Sequence, residues 1–183
     1  KGVLPIDTYK KDVDKLHTVP LKQDWEGLRK SIVEYGLRNS TLTALMPSET
    51  SSQVSNATNG IEPPRGVITV KGSKDNMSKQ VIPDIENLKG QYEYLWDLPD
   101  NKGYLELVAL MQKFVDQAIS ANTSYDPAKF DKGMVPLKGM LKDLLTAYKY
   151  GVKTLYYHNT RDGSSDGVVE AEDEAEDCES CKI

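Results

Sequence analysis

Residues 136–158 have the sequence PLKGMLKDLLTAYKYGVKTLYYH and predict a helix followed directly by a strand. Pro136 suits the first turn of a helix, and Gly151 suits the position just past its end. Residues 152–158, VKTLYYH, contain the β-branched and aromatic residues typical of a strand. Apolar side chains recur at helical spacing before it and predict an inward face: Leu137, Met140, Leu141, Leu144, Leu145 and Tyr148.

The same alternation of helices and strands continues through the chain. Asp24 is a predicted N-cap and Gly36 a predicted stop for a helix over residues 25–35. The most regular apolar stripe runs from Tyr104 to Ile119 and predicts another helix. A third stripe, with Asp84 as its predicted cap, predicts a helix at 84–96. Weaker patterns predict a helix at 50–59 and strands at 41–46, 67–70 and 120–125, whereas residues 1–20 have no sustained periodicity. Such alternation is typical of an α/β fold with parallel pairing.

Composition indicates an ordinary globular body. The chain has 183 residues, of which 38% are hydrophobic and 28% charged, so it predicts one domain or most of one. No stretch approaches the roughly 20 apolar residues of a membrane helix, so we expect no membrane association. The two cysteines lie close together near the end, unlike the disulfide framework of a secreted protein, and this favours a reducing cytoplasm.

The character of the chain changes after Asn159. Residues 163–167 are rich in glycine and serine and predict a flexible link, and residues 166–183 carry eight acids and one base. That segment has a net charge of −7; because the whole chain has −5, the remainder is about +2, which argues against nucleic-acid binding through a basic surface. Self-repulsion and low hydrophobicity predict disorder. We therefore divide the chain into a body, residues 1–160, and a flexible acidic tail, residues 161–183.

The first candidate site is the hydroxyl-rich segment Pro47–Ser51, with Ser48, Glu49 and Thr50 between its ends. It lies between a predicted strand and a predicted helix. Thr50 and Gln53 have capping-box spacing, which places the helix start nearby. Unpaired N–H groups at such a start could hold a phosphate, and a purely structural cap is the alternative.

The second candidate site is the pair Tyr156 and Tyr157. Two adjacent tyrosines could pass a radical between them if their rings meet. A regular strand points neighbouring side chains to opposite faces, so contact requires a local departure from strand geometry. The alternative is one core tyrosine and one surface tyrosine.

The third candidate site is the pair Cys178 and Cys181, spaced C-x-x-C on the acidic tail. Such a pair can form a disulfide, exchange with a buried disulfide and be reduced again by a thioredoxin-type partner. A zinc site is the alternative, but it needs four ligands, and the only histidines, His17 and His158, lie far away in sequence. We therefore expect no metal site.

These sites occur in an order that resembles a known family. The resemblance covers almost the whole chain, and its segments are RNST at 38–41, ALMPSETSSQ at 44–53, NATNGIEPPRG at 56–66, QAISANT at 117–123, KTLYY at 153–157 and CESC at 178–181. Together they resemble the large subunit of class I ribonucleoside-diphosphate reductase. The resemblance implies that the chain is the C-terminal portion of a ten-stranded α/β barrel with a disordered C-terminal tail.

The resemblance also implies a role for each candidate site. It implies that the Pro47–Ser51 segment binds the diphosphate of a ribonucleoside diphosphate, that Tyr156 and Tyr157 relay a radical, and that Cys178 and Cys181 reduce the active-site disulfide again. The implied partners are the N-terminal part of the large subunit, a small subunit carrying a diiron–tyrosyl radical, and thioredoxin or glutaredoxin. ATP and dATP effectors would bind the N-terminal part, and this chain would bind no cofactor itself.

The family's radical-forming and substrate-reducing cysteines have no counterpart here, because both cysteines lie in the tail. We therefore expect the chain to be inactive alone and to work once joined to the missing part, either as the product of a split phage or bacterial gene or as a fragment of a longer chain. The alternative is a non-catalytic module that binds phosphate or a protein partner through its acidic tail.

Overall fold

The computed structural model describes residues 1–18, 20–72, 77–161 and 167–169, in which helices and strands are interspersed along the chain. The helices are α1 (Pro5–Thr8), α2 (Trp25–Tyr35), α3 (Glu49–Val54), α4 (Ile85–Leu88), α5 (Lys102–Gln112) and α6 (Leu137–Tyr150). The strands are β1 (Ile68–Gly72), β2 (Met77–Val81), β3 (Ala121–Tyr125), β4 (Leu155–Thr160) and β5 (Gly167–Val169). No helix in the described ranges is both long and apolar enough to span a bilayer.

The chain forms two compact units. The first contains Lys1–Met46, Asp100–Thr123 and Val135–Asn159, and the second contains Pro47–Pro99, Ser124–Met134 and the described residues from Thr160 onward. In the first unit α5 supplies much of the core, since Leu105 and Val108 are fully buried. The other large side chains that are fully buried in this unit are Val13, Ile119 and Thr123. Strands β3 and β4 pair beside this core.

The second unit contains a three-stranded sheet in the order β2-β1-β5. Both of its pairings are antiparallel, with Ile68 opposite Val81 on one side and Val169 on the other, so the expectation of parallel pairing is wrong for this sheet. A connection as short as the one between β1 and β2 can only reverse the chain direction. Parallel pairing does occur at an isolated bridge between Leu45 and Ile119.

Capping and glycine signals located two helices accurately. Asp24 accepts a hydrogen bond from the Gly27 N–H at 2.8 Å and begins α2, and Gly36 ends it with a φ of 80°. Gly151 ends α6 with a φ of 82°, in the left-handed region that glycine enters without strain. The predicted strands at 67–70, 120–125 and 152–158 correspond to β1, β3 and β4.

Several boundaries differ from the predicted ones. Helix α5 ends at Gln112 rather than Ile119, because the Gln112 side-chain amide donates to the carbonyls of Val115 and Gln117 and stabilises a turn there. The predicted 84–96 helix is divided into α4 and two 3₁₀ turns, Lys89–Gln91 and Leu95–Asp97. Strand β2 was missed because its sequence, MSKQV, does not alternate apolar and polar residues.

Two further differences concern the first twenty residues and α6. The segment expected to be irregular contains α1 and a 3₁₀ turn, Lys11–Lys15, whose Val13 is only 1% exposed. The stripe expected to face inward on α6 is largely exposed, with Leu137 at 78% and Leu144 at 52%. An apolar stripe is buried only where another element covers it, and the sequence pattern does not say whether one does.

The core of the first unit can be tested with two leucines on one helix. Leu105 is 0% exposed and Leu107 is 47% exposed. Leu105→Ala should lower the free energy of unfolding by about 2–5 kcal/mol because it leaves a cavity. Leu107→Ala, the matched control, should lower it by less than about 1 kcal/mol. Urea denaturation measures both; equal losses of stability would contradict the burial of Leu105.

Candidate functional site

Tyr156 and Tyr157 lie on β4 with their rings in contact. The ring centroids are 4.1 Å apart with an angle of 53° between the ring planes. The Tyr157 hydroxyl lies 3.3 Å from the Tyr156 hydroxyl, within hydrogen-bond distance. Both side chains are 55% exposed. The structure therefore brings the two rings together, which strictly alternating side chains would not allow.

Strand β3 holds this part of β4 through two side chains. The Asn122 amide oxygen accepts a hydrogen bond from the Tyr157 main-chain N–H at 3.0 Å. The Thr123 hydroxyl lies 2.6 Å from Nδ1 of His158. Thr123 is 1% exposed, so its hydroxyl is fixed within the core. Sequence reasoning missed both β3 residues; the available signal was a pair of polar residues in a segment predicted to be a strand.

The hydroxyl-rich segment forms a tight turn into α3. Ser48 is the N-cap residue, and its carbonyl accepts from the Ser52 N–H at 2.8 Å. The Ser48 N–H donates to the Asn59 side-chain oxygen at 2.9 Å, which ties the start of the helix to the chain that follows it. Pro47 is exposed and precedes the cap, and Ser51 lies in the first turn.

The capping arrangement differs from the predicted one. The spacing of Thr50 and Gln53 suggested a cap at Thr50, but Glu49 and Thr50 are already the first two helical residues. The Ser48 side chain does not form the capping hydrogen bond. The helix also ends earlier than residue 59, because Asn56 adopts a left-handed conformation with a φ of 50°.

Asp116 fixes the segment of the first unit that leads to Pro47. Its carboxylate accepts from the N–H groups of Leu42 and Thr43 at 2.6 and 2.9 Å. Further along, the Leu45 N–H donates to the Ala118 carbonyl at 3.4 Å, and the Leu45 carbonyl accepts from Ser120 at 2.9 Å. Only this bridge remains of the strand predicted at 41–46, because a side chain, not a neighbouring strand, satisfies its first N–H groups.

The hydrogen bonds to Asp116 have an electrostatic consequence. The N–H of Leu42 contributes most to holding the pKa of the Asp116 carboxyl below its usual value, and the groups of Thr43 add to the effect. Each donor stabilises the ionised form more than the protonated form. The ionised carboxylate is therefore the form that holds the segment.

Cys178 and Cys181 lie outside the described residues. The last side chain described before them is that of Arg161, which lies 3.2 Å from the Asp126 carboxylate. The Arg161 N–H also donates to the Tyr125 carbonyl at 3.0 Å. In the described part of the chain, no three histidine, cysteine, aspartate or glutamate residues lie together as metal ligands would.

Comparison with known proteins gives a consistent result. A family model described as "Ribonucleotide reductase, barrel domain" matches residues 1–158. The chain is 69% identical over 173 residues to the ribonucleoside-diphosphate reductase subunit alpha of Haemophilus influenzae, with 94% of this chain and 23% of that protein covered. It is 63% identical to subunit alpha of the Escherichia coli ribonucleoside-diphosphate reductase 1 and 50% identical to that of Enterobacteria phage T4, each over 100% of this chain and 25% of the relative. The chain therefore spans about a quarter of the length of these curated relatives.

The role of Asp116 predicts a pH-dependent stability difference. A carboxyl whose pKa is lowered by folding stabilises the fold above its unfolded pKa of about 4, and that contribution is lost as pH falls through the folded value. Asp116→Asn should therefore lower the melting temperature most at about pH 7, and the difference should shrink at about pH 3.

Circular dichroism melts of both proteins across this pH range measure the effect. Glu34→Gln, at an exposed position on α2, is the matched control and should melt like the unchanged protein at neutral pH. A difference between Asp116→Asn and the unchanged protein that stays constant with pH would contradict the role of the ionised carboxylate.

Proposed function

The chain belongs to the ribonucleotide reductase barrel-domain family, and from this premise we propose that it is the C-terminal part of the catalytic subunit of class I ribonucleoside-diphosphate reductase. Joined to the N-terminal part, it would reduce ribonucleoside diphosphates to deoxyribonucleoside diphosphates. Residues 1–160 would form part of the catalytic barrel, and residues 161–183 the redox tail. The reaction would take place in the cytoplasm, where thiols are kept reduced.

The observation that carries this proposal is the contact between the Tyr156 and Tyr157 rings. Adjacent strand residues that meet in spite of alternation are uncommon, and tyrosine can lose one electron and one proton together. With the hydroxyl oxygens 3.3 Å apart, a proton can pass from one phenol to the other as an electron moves between the rings. The oxidised tyrosine is then reduced as the other is oxidised, so the pair relays a radical with no net oxidation or reduction.

The oxidising equivalent would reach the pair from a partner. In this proposal the small subunit supplies it from a diiron–tyrosyl radical, and ATP and dATP act on the N-terminal part of the large subunit. The two tyrosines are 55% exposed, so they are accessible to another polypeptide.

The segment Pro47–Ser51 would hold the substrate diphosphate. Ser48 and Ser51 offer hydroxyls, and Glu49 and Thr50 contribute main-chain N–H groups in the first turn of α3. The bond between Asn59 and the Ser48 N–H supports this role, because it fixes the turn before substrate arrives. Ser48 itself would therefore contribute its hydroxyl rather than its main-chain N–H.

Cys178 and Cys181 would return the active site to its reduced form. Their two thiols become a disulfide, and the two electrons and two protons released reduce a disulfide elsewhere to two thiols. Because the chain has only these two cysteines, the disulfide that they reduce must lie on another part of the enzyme. Thioredoxin or glutaredoxin would then reduce the tail pair.

The relay predicts a specific effect of removing either phenol. Tyr156→Phe or Tyr157→Phe should abolish product formation in both single and multiple turnovers, because phenylalanine cannot be oxidised in tyrosine's place. Substrate binding should be unchanged. Tyr35→Phe, at a 78% exposed position, is the matched control and should retain full activity. The measurement is deoxynucleotide formed by this chain with the N-terminal part, the small subunit and a reductant; retained activity in either variant would exclude the relay.

The tail dithiol predicts a different pattern. Replacing Cys178 and Cys181 by serine should abolish thioredoxin-dependent multiple turnover but leave one product per active site, because the first turnover uses thiols that are already reduced. Ser180→Ala within the same tail is the matched control. Quantifying product per enzyme, with and without thioredoxin, tests this; unchanged multiple turnover would instead favour a non-catalytic docking tail.

A further inference from the structure

The contact between Tyr156 and Tyr157 requires a local cause. In a regular strand successive side chains alternate between faces, so adjacent rings would lie on opposite sides of the sheet. In β4 Tyr156, Tyr157 and His158 are all exposed, so burial does not alternate along this stretch. The ring centroids are nevertheless only 4.1 Å apart. Strictly opposite side chains could not come this close, so some contact must hold the two rings in this arrangement.

Asn122 is placed to do this. Its side-chain oxygen accepts from the N–H of Tyr157 at 3.0 Å, on the peptide unit that joins the two tyrosines. The side-chain oxygen of Asn122 lies further from the main chain of β3 than a main-chain carbonyl oxygen does, so it offers an acceptor at a different position. A main-chain N–H bonded to it can therefore turn away from the regular ladder direction without being left unsatisfied.

A second β3 side chain, that of Thr123, contacts His158, the residue that follows the tyrosine pair. His158 Nδ1 lies 2.6 Å from the hydroxyl of the buried Thr123. The side chains of Asn122 and Thr123, consecutive residues of β3, thus hold Tyr157 and His158, consecutive residues of β4. The bond to Thr123 therefore fixes β4 at the residue that follows the tyrosine pair.

We propose that Asn122 is a positioning residue that holds the Tyr156 and Tyr157 rings together on one face of β4 through its bond to the Tyr157 N–H. The expected effect on kcat rests on the proposed radical relay. The expected effect on the ring contact does not depend on that proposal. Asn122 acts through the main chain and does not itself carry the radical.

The first measurement concerns geometry alone. In the chain with ¹³C-labelled tyrosine, nuclear Overhauser signals between the two rings report their separation. Asn122→Ala removes the acceptor and should weaken these signals several-fold. Asn122→Asp keeps an oxygen acceptor at the same position and should restore them. Asn87→Ala, which breaks a surface side-chain bond to Asp84, is the matched control and should leave them unchanged.

The second measurement concerns turnover in the enzyme reconstituted with the N-terminal part and the small subunit. Asn122→Ala should lower kcat about tenfold, because electron and proton transfer depend on the ring contact, and leave the substrate KM unchanged. Asn122→Asp should recover most of the rate. A merely structural role would not produce both the unchanged KM and the rescue by aspartate.

The outcomes separate the inference from the proposed function. Rings that stay together in Asn122→Ala would overturn the inference, whatever the activity. Rings that separate while kcat is unchanged would support the positioning role of Asn122 and count against the tyrosine relay. If Asn122→Ala does not fold, Asn122→Gln replaces it, since its acceptor is displaced by one methylene and the rings should likewise separate.

Discussion

Two adjacent tyrosines on one strand can meet only where the strand's alternation is broken, and the proposed function of this chain depends on that break. Tyr156 and Tyr157 approach to 4.1 Å between ring centroids, which strictly alternating side chains of β4 could not do. Strand β4 nevertheless pairs with β3. The Asn122 side chain of β3 accepts from the Tyr157 N–H, so this main-chain donor keeps a hydrogen bond.

Side chains also satisfy main-chain N–H groups just before and within the proposed phosphate-binding segment. Asp116 binds the N–H groups of Leu42 and Thr43, and Asn59 binds that of Ser48. Each of these side chains ends in an oxygen acceptor that meets a main-chain donor. Charge-assisted bonds such as those of Asp116 are about twice as strong as neutral ones, so a single carboxylate can order an irregular segment. An irregular segment held in this way can present main-chain N–H and C=O groups that a regular strand or helix would use in its own hydrogen bonds.

The sequence predicts a feature well when the residues that determine it are close neighbours along the chain. The ends of α2 and α6 were located correctly because Asp24, Gly36 and Gly151 act on their immediate neighbours. The end of α5 was placed too late because the bonds of Gln112 depend on a turn that the apolar stripe does not encode. The tyrosine pair could be named from its residues, but its contact could not, because the cause lies more than thirty positions away in Asn122. The exposure of Leu137 and its neighbours on α6 was missed because periodicity identifies an apolar face without identifying what covers it.

The proposed chemistry makes opposite demands on two segments of this chain, and the sequence meets them in different ways. A radical relay moves one electron over a fixed path, and a small displacement of a ring interrupts it, so Tyr156 and Tyr157 belong on a strand held by neighbouring side chains. A dithiol in the proposed role delivers two electrons and must reach first one disulfide and then a second protein, so Cys178 and Cys181 would have to meet more than one partner. The composition agrees with this division: the tyrosines follow a helix with an apolar stripe, whereas the cysteines follow glycine, serine and a run of acids that give the chain little to bury. The two proposed tasks therefore need different surroundings, and for this reason they can share one chain only at separate places along it.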